Sequence, residues 1–283
     1  MTSQLVSTAW LAAHLGDSNL VILDASAHLP DARRDAEAEF LSAHIPGARY
    51  LALSTFIDPA SEVPAAIPDA AQFAQRMASL GVTDDARVVI YDDSAVKTSA
   101  RAWFILRLHG LADVAILDGG LGKWRAEGRP LENGAASPAT GAVTPGTGLG
   151  TVRSKAQMLA NLDTRAEQVV DARGAGRFTG EDKDFRPGVF DGHIPGSRNM
   201  PLGTVLNADG TFKDEAALRA AFAEAGIDLS RPVATTCGGG VTAAVLLFAM
   251  EVLLGKQDVA LYDGSWSEWG SDPTTPKELG PAA

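Results

Sequence analysis

The chain has 283 residues, a formal net charge of -11 and an isoelectric point of about 4.9. A surface of that sign repels phosphates and no local basic stripe relieves it, so nucleic-acid binding is excluded; no run of roughly 18 uncharged apolar residues exists to span a membrane. One cysteine cannot form an internal disulfide, and five histidines at unfamiliar spacings give no metal site, so no metal is expected.

In chain order, the start MTSQLVSTAWLAAHLGDSNL lacks a basic stretch followed by an apolar one, which points to a cytoplasmic protein. VILDAS, with Asp24, reads as a buried strand and is followed by AHIPGARYLAL from Ala43. Asp69 is placed to cap a helix whose Phe73, Met77 and Leu80 share a face before Gly81 ends it. VVIYDD and VAILD are further strands. NGAASPATGAVTPGTGLG, residues 133–150, is rich in Gly, Pro, Ser and Thr without apolar period and reads as a linker. The pattern then starts again: VVDARG with Asp171, GHIPGSRNMPL, a helix from Asp214 with Leu218 and Phe222 ending at Gly226, then PVATTC and VALYD. SDPTTPKELGPAA reads as a solvated tail.

The chain is thus written twice. Equivalent residues lie 147 apart at the aspartates, 149 apart at His44 and His193, and a constant 145 apart from Gly81 and Gly226 through DGGLGKW and DGSWSEW. Strands alternating with helices imply a parallel sheet covered on both faces, one in each of two tandem α/β domains, expected at 1–132 and 151–283. The same offset sets Asp92 opposite Cys237, so only the second copy can supply a nucleophile.

Cys237 falls at the C-terminal end of a strand, where open parallel sheets bind ligands. Gly238, Gly239, Gly240, Val241 and Thr242 follow it and lead into the apolar run AAVLLFAMEVLL. Glycines let successive N–H groups curl around an anion and a helix N-terminus adds its dipole, an environment that suits a reactive sulfur rather than inert core filler.

CGGGVTA in the second copy, HIPG in both and the duplicated domain resemble the two-domain rhodanese superfamily of sulfurtransferases. The loop is more similar to that of the 3-mercaptopyruvate sulfurtransferases than to that of thiosulfate-using rhodaneses. The resemblance implies that Cys237 takes sulfane sulfur from a donor as a persulfide. It then passes the sulfur to a thiol acceptor such as thioredoxin, or to cyanide, and the resemblance implies no metal or organic cofactor for this chemistry. It also implies that Arg177 and Arg186, in GRFTGEDKDFRPG, bind the carboxylate and carbonyl of the donor. A guanidinium fork suits a carboxylate as a lysine cannot. The acids between them, Glu181, Asp182 and Asp184, are competing partners for both arginines.

The sequence departs from the family pattern in three respects. Thiosulfate-preferring enzymes carry basic residues directly after the cysteine, where this chain has Gly238 and Gly239, so thiosulfate is expected to be the poorer donor. Gly239 also lacks the hydroxyl that many mercaptopyruvate enzymes have there. The acid and histidine of their proposed proton relay fall at Ser54 and Ala65, leaving water, Thr242 or the donor's own thiol to move the proton.

Asp24, Asp171, His44 and His193 occur in both copies and read as structural, the histidines fixing the turns before Pro46 and Pro195. Trp124 and Trp269 read as core, and Trp266 as core or pocket wall. Two rivals compete with a sulfurtransferase. A cysteine phosphatase needs an arginine six residues beyond the cysteine, and that residue is Ala243. A redox-sensing scaffold would use Cys237 without turnover and leave the arginine pair without a task.

Overall fold

The computed structural model describes residues 3–137 and 139–282. Met1, Thr2, Pro138 and Ala283, which fall within the expected domains and linker, lie outside the described residues. The chain divides into two compact units. The first runs from the N-terminus to Pro59 and adds Ile67–Leu149 and Asn207–Phe212; the second holds Ala60–Ala66, Gly150–Leu206 and the chain from Lys213 onward.

In the first unit five strands, β1 (Leu5–Val6), β2 (Leu20–Asp24), β3 (Arg49–Tyr50), β4 (Arg87–Tyr91) and β5 (Val114–Leu117), form a sheet in the order β1-β5-β4-β2-β3. In the second, β6 (Val152–Arg153), β7 (Gln168–Asp171), β8 (Arg198–Asn199), β9 (Val233–Thr236) and β10 (Val259–Tyr262) take the order β6-β10-β9-β7-β8. All of these pairings are parallel, and the matching order is the structural form of the sequence duplication. Successive strand side chains point to opposite faces, and Val88, Val89, Ile90 and Tyr91 are each 0% exposed, so both faces of the first sheet are covered. The same holds for β9 and β10, buried along their whole length.

The helix signals act as expected. Asp69 Oδ1 accepts from Gln72 N and Gln72 Oε1 accepts from Asp69 N, a capping box that starts Ala70–Ser79 with Phe73 and Met77 buried. Asp214 caps Glu215–Glu224 by accepting from Ala217 N. Val241–Phe248 is buried all round from Ala243 to Phe248, as expected of a helix with no polar face.

The Gly- and Pro-rich segment after residue 132 lies along the first unit. Gly141 N donates to Ala78 O, Gly146 N to His109 O and Gly148 N to Leu108 O. A side chain at Gly148 would meet Arg107 O at 1.8 Å, so that glycine permits the backbone to approach. The absence of apolar period there reflects docking through main-chain hydrogen bonds.

The duplicated histidines do structural work. Each Nδ1 bonds a carbonyl, His44 that of Phe40 at 2.8 Å and His193 that of Phe178 at 2.9 Å, and each ring stacks on the same phenylalanine. Their main chains bridge to Glu132 and Glu278 just before the Pro turns. Asp24 accepts from Ser26 N, and its burial at the end of β2 pushes the carboxyl above its usual range. Trp124 and Trp269 are core, each 0% exposed.

Candidate active site

β9 ends at Thr236, and Cys237 stands immediately beyond it, 1% exposed and free. The chain then turns through Gly238, Gly239 and Gly240 into the helix whose first two residues are Val241 and Thr242. Of the three glycines only Gly240, at φ 75°, occupies the left-handed region, so the turn into the helix is made there.

The turn is held from the loop after β10. Ser265 Oγ accepts from Cys237 N at 3.2 Å and from Gly240 N at 3.1 Å, and donates to Tyr262 O at 2.8 Å. Ser265 is itself left-handed, φ 47°, and 0% exposed, a strained conformation that its three hydrogen bonds stabilise. Trp266 N donates to Cys237 O and Ser267 N to Gly238 O, fastening the two loops main chain to main chain. Of the amides expected to face the sulfur, that of Gly240 is therefore spent on Ser265, as is the amide of Cys237 itself. Among the described residues none accepts from the N–H groups of Gly238 or Gly239, which leaves those two for an anion beside Cys237.

Arg177 sits in the short helix Ala175–Thr179 and Arg186 in the turn that follows Asp184. A methyl group built on Gly238 would lie 3.7 Å from Arg177 Nη2 and 3.6 and 3.8 Å from Arg186 Nη2 and Nη1. Both guanidiniums thus converge on the space beside the residue that follows Cys237. They are not equivalent. Arg186 donates from Nε and Nη2 to the two oxygens of Asp184, at 2.8 and 2.6 Å, and from Nη1 to Gly238 O at 2.6 Å. Three of its five N–H donors are used, leaving one on each terminal nitrogen. Arg177 makes no hydrogen bond and no ion pair among the described residues, so its whole fork is open.

Asp184 is the acid that competes, with its side chain 2% exposed. Burial raises its carboxyl, but the hydrogen bonds and charge of Arg186, with the nearby charge of Arg177, outweigh that and hold it below the usual range. Glu181 and Asp182 pair with neither arginine.

Several positions were not singled out by sequence. Ser265 and Ser267 face Gly120 and Gly122 at the constant offset, so hydroxyls stand only in the copy that has the cysteine; DGSWSEW over DGGLGKW was the available signal. Arg173 forms a buried pair with Asp171, donates to Gly192 O, and places its guanidinium 4.4 Å from the Trp266 ring. Trp266, read from the sequence as core or pocket wall, is 1% exposed; its main-chain N–H donates to Cys237 O and its Nε1 to Phe190 O, so it ties the cysteine turn to the segment that follows Arg186.

The first copy closes the matching position. Asp92 accepts from Ser94 N through Oδ1 and from Ser99 N through Oδ2, both at 2.9 Å, so its own carboxylate fills the turn. Lys97, opposite Thr242, is left-handed at φ 51°, and the loop does not repeat the geometry around Cys237. Ser54 lies in the short turn Leu53–Thr55 of the first unit, and Ala65 is left-handed at φ 56°.

A parallel five-stranded sheet that presents a lone cysteine in a glycine turn, repeated with an acid in its place, defines a class: the chain belongs to the rhodanese family. The model of the rhodanese-like domain matches residues 7–127 and 154–272. The chain is 40% identical to the 3-mercaptopyruvate sulfurtransferase of Mus musculus over 272 residues, 94% of this chain and 91% of that protein. It is 37% identical to the 3-mercaptopyruvate sulfurtransferase of Escherichia coli K12, covering 98% of both. It is also 39% identical to the thiosulfate sulfurtransferase of Gallus gallus, over 94% of this chain and 92% of that one. The crystal structure of SseA, a 3-mercaptopyruvate sulfotransferase from Escherichia coli, superimposes with a TM-score of 0.84 at 35% identity, over 94% of this chain and all of that one.

Proposed function

We propose that this protein is a sulfurtransferase that draws the thiol sulfur of 3-mercaptopyruvate onto Cys237 as a persulfide, releases pyruvate, and passes that outer, sulfane sulfur to a thiol or to cyanide. The observation that carries the donor assignment is the convergence of Arg177 and Arg186 beside Gly238. Mercaptopyruvate offers a carboxylate and a ketone to two guanidiniums, and a carboxylate takes a fork bidentately.

The step balances without a cofactor. The Cys237 thiolate attacks the donor sulfur, an S–S bond forms, the C–S bond breaks, and the electron pair goes to carbon as the enolate of pyruvate. The donor's thiol proton ends on that carbon, and the persulfide is left as an anion beside the free Gly238 and Gly239 N–H groups. Burial at 1% exposure keeps water from an easily hydrolysed intermediate. Pyruvate leaves before the acceptor attacks the outer sulfur, giving ping-pong kinetics.

Thiosulfate is the second donor to weigh, since a relative at 39% identity bears that activity in its name. The residue after Cys237 is a glycine already flanked by two guanidiniums, and no further cation follows it to draw a dianion. A small reduced dithiol protein of the thioredoxin kind suits the acceptor role chemically, and the cytoplasm, which keeps thiols reduced, suits an enzyme whose one cysteine must cycle through the thiolate. No helix among the described residues is long and apolar enough to cross a membrane.

The test compares kcat/KM for mercaptopyruvate and thiosulfate in wild type, Cys237→Ser and Arg177→Ala, with intact-mass measurement after donor alone. The expected result is one added sulfur atom on Cys237, no turnover in the serine variant, and a loss confined mainly to mercaptopyruvate in the arginine variant. Thiosulfate favoured tenfold by wild type refutes the donor assignment, and no added sulfur refutes the mechanism.

A further inference from the structure

Phe185 lies between the two arginines in sequence, and its ring centroid is 5.3 Å from the guanidinium carbon of each. It is nevertheless 55% exposed, a large apolar side chain held at the surface beside the most charged part of the site. Both distances fall within the range in which a cation is attracted to the negative face of an aromatic ring.

We infer that Phe185 is a positioning residue for Arg177 and thereby sets the affinity for an anionic donor. The inference rests on the reading of Arg177 as a donor-binding group. Two guanidiniums that meet near Gly238 repel each other until an anion arrives. For Arg186 the structure answers with Asp184 and Gly238 O, which fix the side chain but use three of its N–H donors. Arg177 has no hydrogen bond or ion pair among the described residues, and its guanidinium lies against the ring. The ring attracts through its quadrupole and accepts no strong hydrogen bond, so it can hold a guanidinium in place while leaving all five N–H groups for the donor. A carboxylate in the same role would fix Arg177 and blunt it. With Asp184 and Phe185 side by side, one arginine is anchored by an acid and the other is kept available by an aromatic.

The experiment measures kcat and KM for mercaptopyruvate in Phe185→Leu, Phe185→Tyr, Arg177→Ala and the Phe185→Leu/Arg177→Ala double variant. Phe185→Leu is expected to raise KM about two- to fivefold, the size of one exposed cation–π contact, with kcat unchanged because the interaction is the same in ground and transition states. Phe185→Tyr, which keeps the ring, is expected to restore the wild-type KM. In the Arg177→Ala background the leucine substitution is expected to have no further effect, which a general loss of packing would not produce. Raised KM in Arg177→Ala beside a wild-type KM in Phe185→Leu overturns this inference alone. So does a leucine effect that persists without Arg177, one that tyrosine fails to rescue, or one that falls on kcat. A wild-type KM in Arg177→Ala overturns the donor-binding reading, and the inference with it.

Discussion

Replacing Arg186 by alanine should destabilise the protein as well as weaken donor binding. The substitution strands the Asp184 carboxylate, whose side chain is 2% exposed, and removes the donor to Gly238 O. Breaking a buried pair by deleting one partner costs about 3–5 kcal/mol; Arg186 is 23% exposed, so water reaches part of the gap and the low end, about 3 kcal/mol, applies. For a protein of this size that corresponds to a fall in Tm of roughly 6–12 °C. Thermal unfolding followed by circular dichroism measures it, with Asp184→Asn/Arg186→Ala as the control. Removing the stranded charge should return most of the lost stability without returning mercaptopyruvate turnover. Arg177→Ala, which strands no acid, should melt within about 0.5 kcal/mol of wild type. An Arg186→Ala variant that melts with wild type, or a double variant no more stable than the single one, refutes the account of Asp184 as a buried counter-charge.

The same pair predicts an acid limb. The Asp184 carboxyl is held below its usual range in the folded protein, so its contribution is fully present above the unfolded value of about 3.9 and is lost as pH falls through the folded value; Asp184→Asn should flatten stability against pH below about 4, read from denaturant midpoints. Gly239→Ser should fold normally, since its β-carbon would meet only Ser267 Oγ, at 3.7 Å; a loss of unfolding free energy beyond about 1 kcal/mol would falsify that geometry. Asp92→Ala should cost roughly 2–3 kcal/mol by leaving the Ser94 and Ser99 N–H groups unpaired, yet leave kcat per folded molecule intact. Loss of turnover in that variant at full folding would show that the first copy takes part in the chemistry.

Most of the fold was legible because duplication doubled each signal. Asp69 and Asp214 cap equivalent helices, Phe73 with its match Leu218 and Met77 with its match Phe222 are each 0% exposed, and the strands ending at Tyr91 and Thr236 deliver Asp92 and Cys237 to equivalent positions. What was hidden depends on segments distant in sequence that meet only after folding. Cys237 and Ser265 are joined by a hydrogen bond across 28 residues, Arg186 and Gly238 across 52, and no local pattern announces either. Local chemistry also misled in one respect. Three consecutive glycines suggest three unusual backbone conformations, whereas only Gly240 needs one. Gly238 answers instead to the arginines, because a basic side chain there would drive a third cation toward two guanidiniums within 4 Å.

The two copies differ in the group that orders the turn after the strand end. In both, the strand-end residue offers its carbonyl to the loop after the last strand, from Leu121 N to Asp92 O and from Trp266 N to Cys237 O. In the first copy the strand-end side chain is itself an anion, and it satisfies the amides of Ser94 and Ser99. A cysteine side chain is too short and too weak an acceptor to do the same, so the second copy needs another group to order the turn. Ser265 supplies it from the neighbouring loop, taking the Cys237 and Gly240 amides at the two ends of the turn. The Gly238 and Gly239 amides between them are left without a partner among the described residues, which is the condition for holding a charge that the protein does not itself carry. The copy with the cysteine thus differs from the other not only by a thiol but by an internal acceptor that stands on the adjacent loop instead of at the strand end, and a cysteine placed at position 92 opposite Gly120 would have no such support.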